Sequence, residues 1–81
     1  MTELRNLDEF HAAIRAGNVI VITDGANGNT AHHPDCSHVK DNYFIEKVID
    51  GKGKNGGYFA VSTAEEAART HGALPCGRFY G

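Results

Sequence analysis

The chain has no tryptophan, one methionine, two prolines and two cysteines among 81 residues. Each scarcity excludes something. With few bulky side chains, and with ten glycines diluting the packing, a chain of this length buries only about 60 to 65% of the surface that its unfolded form exposes. One domain spanning residues 1–81, with a marginal core, is therefore expected, and small domains of this kind commonly add a disulfide, a metal or a partner. No apolar run approaches the length of a membrane span, and the stretch "MTELRNLDEF" is charged throughout, unlike a secretory signal. The net charge of -2 and pI near 6.2 provide no overall basic field to attract nucleic acid. The two cysteines lie far apart in sequence and would pair only in an oxidising compartment. A cytoplasmic protein with reduced thiols and no membrane partner is the expectation.

What is present reads as a small α+β unit. Asn6 and Glu9 fit an N-cap with its reciprocal partner, Leu7, Phe10 and Ile14 form an apolar stripe, and Gly17 supplies a left-handed stop, which predicts a helix over roughly 7 to 16. "NVIVIT" (18 to 23) is apolar on both faces, as a covered central strand would be. The turn signals Asp24-Gly25 and Asn27-Gly28 return the chain to a partner strand from Thr30 to His33. "YFIEKVID" (43 to 50) reads as a strand because Tyr, Phe, Ile and Val dominate it, and with "YFAVS" it suggests a second hairpin across "GKGKNGG". Ser62 and Thr63 with Glu65 and Glu66 offer two overlapping capping boxes for a second helix, running to about His71 and closed by Gly72. The predicted architecture is an antiparallel or mixed sheet of three to four strands with a helix at each end of the chain.

The segment "HHPDCSH" (32 to 38) concentrates three of the five histidines and one of the two cysteines. Zinc takes Cys sulfur and His nitrogen, with ligands often paired two to four residues apart on a turn, and His32 and Cys36 have that spacing. Pro34 forces His33 to be extended, so the adjacent histidines should point to opposite sides and only one should share a site with Cys36. Pro34 also suits the first position of a helical turn that would carry Cys36. Cys76, behind Pro75 on the tail, can reach back as a further ligand. Two small buried thiols and chance histidines explain the same residues, and spacing alone does not separate the two readings.

The stretch from Val19 to Phe79, "VIVITDG...HHPDCSH...YFAVSTAEEAARTHGALPCGRF", resembles the zinc-binding domain of Ada-type DNA methylphosphotriester repair proteins over about three quarters of the chain. Pro34 and Cys36 fall on that family's first cysteine motif, Glu66-Ala67 and Gly72 on its helix, and Pro75-Cys76 on its last motif. The resemblance implies a zinc module contacting DNA or a protein. This chain departs from the pattern where His32 and Phe79 replace the first and last cysteines and where the segment between Cys36 and "YFAVS" is longer. The first cysteine is the family's methyl acceptor, so methyl transfer is excluded here. The ligand set becomes His32, Cys36, Cys76 and a fourth group, with His38 ranked ahead of His71, a water or no ligand, and with His33 as the alternative to its neighbour.

The remaining motifs carry less. "GKGKNG" matches a dinucleotide fingerprint in letters but precedes a strand, so no nucleotide cofactor is expected. Lys52, Lys54 and Arg78 are candidate phosphate contacts. A zinc hydrolase or nuclease with a bound water, using Asp35 or Asp24 as base, and a metal-free interaction domain are the alternatives to a non-enzymatic zinc module.

Overall fold

The computed structural model describes residues 2–25, 28–36, 39–54 and 56–76. In chain order the elements are β1 (Thr2–Leu4), α1 (Leu7–Arg15), β2 (Val19–Ile22), β3 (Thr30–His32), α2 (Asp41–Phe44) running into a π-helix (Ile45–Asp50), β4 (Tyr58–Val61), α3 (Ala64–His71) and β5 (Leu74–Pro75). Among the described residues the strands form one five-stranded mixed sheet in the order β1-β4-β2-β3-β5. Its pairings are antiparallel except the last, where β5 runs parallel to β3. The α+β class is as expected, with two strands at the chain's ends that short polar or tail-like stretches did not signal.

Both flanking helices start as their sequences predict. Asn6 Oδ1 accepts from Glu9 N at 2.9 Å, and Glu9 Oε1 accepts from Arg5 N at 2.8 Å. In α3, Thr63 Oγ1 accepts from Glu66 N at 3.0 Å while Glu66 Oε1 accepts from Ser62 N at 2.9 Å. In each case the acid reaches the residue before the cap, and the Ser62 amide holds the Glu66 carboxyl below the usual carboxylate range. Thr63 is thus the cap, and the overlapping Ser62 and Glu65 pair is not used. At the far end of α1, Gly17 adopts φ 77° and Asn18 N reaches back to Ala13 O at 3.1 Å, the left-handed closure that Gly allows.

Strand alternation sorts the core into two layers. Leu4, Ile20, Tyr58 and Ala60 face α1 and α2, packing with Phe10, Ala13, Phe44 and Val39. Val19, Val21, Ala31 and Val61 face α3, where Ala67 and Ala73 let the helix approach closely. The first layer is aromatic: Phe10 stacks on Phe44 at 4.5 Å, and Tyr58 meets both rings edge-on.

The strand expected over 43 to 50 is a helix instead. Phe44 and Val48 stand one helical turn apart and pack on the core, while Tyr43 and Ile49 are left 46% and 44% exposed. A strand over 43 to 50 would have had to pair with β4 to make the hairpin, and both edges of β4 are taken, one by β1 and the other by β2. Consequently the second hairpin does not form, and β4 pairs with β1 and β2. The loop before β4 is fixed by Thr23, whose N donates to Gly57 O at 2.9 Å and whose Oγ1 accepts from Gly57 N at 2.7 Å. This draws Gly56 against the Thr23 carbonyl. A Cβ at Gly56 would lie 1.9 Å from that oxygen, at φ +135°, whereas one at Gly25 would meet nothing within 4 Å. Gly56→Ala should therefore cost at least about 3 kcal/mol, and Gly25→Ala should fall within about 0.5 kcal/mol of the parent. Denaturant midpoints of the two variants check this.

Candidate metal centre

Three chain segments converge beneath the aromatic layer. β3 sits with Ile20 opposite His32 and Val21 opposite Ala31. Because strand side chains alternate, His32 shares the α1-side face with Ile20, and Ala31 takes the α3 side. The chain then turns: Cys36 N donates to His33 O at 2.9 Å, with Pro34 in the position that its fixed φ favours, and Val39 N donates to Cys36 O at 2.9 Å. Residues 33–36 thus form a hydrogen-bonded turn rather than the helical turn expected to carry Cys36. β5 completes the site. Leu74 N donates to Asn29 O at 3.0 Å and Cys76 N to Ala31 O at 2.9 Å, so the parallel register delivers Cys76 beside His32.

His32, Cys36 and Cys76 are 6%, 8% and 8% exposed. One ligand atom from each lies within 4.8 Å of the other two. The sulfurs are 3.6 Å apart, far beyond a disulfide bond of about 2.05 Å. A tetrahedral zinc with metal–sulfur bonds of about 2.3 Å holds its two sulfurs about 3.8 Å apart, so this spacing suits a shared ion. The surroundings are apolar, with Val39, Ile20 and Ala60 in the same cluster. Two thiolates there would be costly to bury without a compensating cation.

The other candidate residues fall elsewhere. The two adjacent histidines point to opposite sides as expected, and it is His33 that faces outward, its side chain 49% exposed and its Nδ1 accepting from Asp35 N at 3.1 Å. It is not a substitute for His32. His71 packs its ring on Phe59 at 4.6 Å, on the α3 side, so the sheet separates it from the two sulfurs. It is thereby removed as the fourth ligand, and its place in the last turn of α3 fits the helix-dipole role instead. His38 and Arg78 lie outside the described residues. Lys52 and Lys54 are exposed on the turn after the π-helix. Asp24 is paired with Lys47 at 3.1 Å, and the side chain of Asp35 is 89% exposed.

Sequence reasoning missed how Cys76 is positioned. The signal is slight: the pair Leu74–Pro75 is too short to read as a strand, and only its hydrogen bonds to β3 and Asn29 define it. No family model, curated protein or solved structure matches this chain.

The 3.6 Å sulfur separation has a direct chemical consequence. In metal-free protein, peroxide should oxidise one thiol to a sulfenic acid with release of water, and the second thiol should displace another water to close the Cys36–Cys76 disulfide. Mass spectrometry should find a monomer lighter by two hydrogens. Disulfide-linked dimers as the main product would contradict the geometry.

Proposed function

We propose that this chain is a non-enzymatic zinc module in which His32, Cys36 and Cys76 hold Zn2+, with His38 or a water completing the tetrahedron. One observation carries the reading: three buried donors of the right types, drawn from β3, the following turn and β5, meet within 4.8 Å. Burial of all three favours a structural ion over an open catalytic one. The ion would pin a two-residue edge strand to the hairpin. Structural zinc is worth about 10 to 16 kcal/mol in small peptides, as much as the whole stability of an ordinary domain.

The Ada-type resemblance supplies the rest of the proposal, a scaffold that contacts DNA or a protein partner. With two thiolates and neutral imidazole the zinc site carries no net negative charge, so its sulfurs have little drive toward an alkyl carbon and methyl acceptance is lost. Lys52 and Lys54, exposed on one turn, are the candidate phosphate contacts.

Protein purified without a tag should contain about one zinc per chain. Chelation should lower the melting temperature by more than about 12 °C, the shift that a loss of roughly 3 kcal/mol gives a domain of this size. Cys76→Ser should reproduce the effect of the chelator, while His71→Ala and His33→Ala retain the metal. Absence of metal from the parent protein, or unchanged content and melting in Cys76→Ser, would refute the ligand set. DNA contact is checked separately by duplex binding at varied salt. A salt slope reduced by about 2 in the Lys52→Ala/Lys54→Ala double variant supports it, and no binding at low salt leaves a protein as the partner.

A further inference from the structure

A second concave site lies on the same face of the sheet, away from the sulfurs. Tyr58 is only 2% exposed, wedged edge-on between Phe10 at 5.7 Å and Phe44 at 5.1 Å. Its hydroxyl makes no hydrogen bond to any described residue. The ring is buried while the hydroxyl opens onto a cavity, where it is available to a donor from outside the chain. The residue lines a cavity of about 350 Å³ together with Asp24, Tyr43, Glu46, Lys47 and Gly51.

The wall of this cavity is the π-helix. Gly51 N donates to Glu46 O at 3.0 Å, the wide i→i+5 bond, in place of the tighter α-helical one. Such segments are rare and are found disproportionately at functional sites. The charges lining the cavity are unbalanced. Lys47 Nζ is occupied by Thr23 O at 2.9 Å and Asp24 Oδ2 at 3.1 Å, which leaves the Glu46 carboxylate as the uncompensated charge of the lining. Burial first, and then the fields of Glu46 and Tyr43, push the Tyr58 phenol up to about 12. The phenol therefore stays neutral at ordinary pH, and the carboxylate's field reaches it.

We propose that this cavity binds a small organic cation with N–H donors, a primary alkylammonium group, which donates to the Glu46 carboxylate and the Tyr58 hydroxyl oxygen with its alkyl stem along the half-exposed ring of Tyr43. An anion would meet Glu46 unfavourably. A quaternary ammonium would leave the phenol oxygen without a donor, although the aromatic wall would suit it. The chemistry is shared by free alkylamines and by the lysine side chain of a partner. It does not depend on the metal centre.

The test is an NMR titration of the protein as purified with n-butylammonium chloride and with Nα-acetyl-lysine N-methylamide, against tetramethylammonium and sodium chloride at equal ionic strength. Saturable shifts at residues 43–51 and 58 are expected for the primary amines alone. Saturation by butylammonium only identifies free amines as the ligand class, and saturation by both admits a partner's lysine. Tyr58→Phe and Glu46→Gln should each weaken binding by about tenfold or more, the effect of losing a hydrogen bond involving a charged group. Tyr58→Phe should melt no lower than the parent, since it removes a hydroxyl with no hydrogen-bond partner among the described residues. Shifts equal to those from sodium or tetramethylammonium, or isotherms unchanged in both variants, would overturn the proposal.

Discussion

β5 is two residues long, lies at the sheet edge and is held to its neighbours through backbone hydrogen bonds such as Leu74 N to Asn29 O and Cys76 N to Ala31 O. Its Leu74 is 74% exposed, so hydrophobic burial does little to keep it in place. Asn29 adds a further tie, its Nδ2 donating to His71 O at 2.7 Å and fastening the end of α3 to the start of β3. Two or three hydrogen bonds at about 1 kcal/mol each barely offset the backbone entropy of ordering such a segment. Yet this register is what sets Cys76 beside His32 and Cys36. A divalent ion shared by the three would convert a weak edge pairing into the strongest tie in the domain.

The sheet divides the chemistry as well as the packing. One rung of the sheet aligns His32, Ile20 and Ala60, and the rung two residues along aligns Thr30, Ile22, Tyr58 and Leu4. The imidazole belongs to the first, with the two sulfurs gathered beside it, and the phenol to the second, all on the face covered by α1 and α2. The other face is a close contact of small residues, Ala31, Ala67 and Ala73, with the strand valines. On that side the His71 ring packs against Phe59. Both the candidate metal centre and the cavity beside Tyr58 thus lie on the aromatic side, under α1, α2 and the π-helix.

The helical path of residues 41–50 shows how tertiary context overrides propensity. Tyr43, Phe44, Ile45, Val48 and Ile49 favour a strand intrinsically. The stacked contact of Phe44 with Phe10 rewards the spacing of a helix, and the Lys47 tie to Thr23 and Asp24 fixes its far end against the β2 turn. Intrinsic β preference spans only about 1 kcal/mol, less than the burial of one phenylalanine ring.

Local chemistry by itself determined both capped helices, the first hairpin and the opposite orientations of His32 and His33, and it singled out His32, Cys36 and Cys76 as candidate donors. Each of these rests on contacts between residues within a few positions of one another: an N-cap oxygen and an amide three residues on, a proline and its predecessor, a strand's alternation. Only the tertiary structure decided that residues 43 to 50 are helical, that His71 is shut off behind the sheet, and that Cys76 arrives by a parallel edge strand. Those outcomes depend on partners tens of residues away, whose burial and register a single segment does not encode.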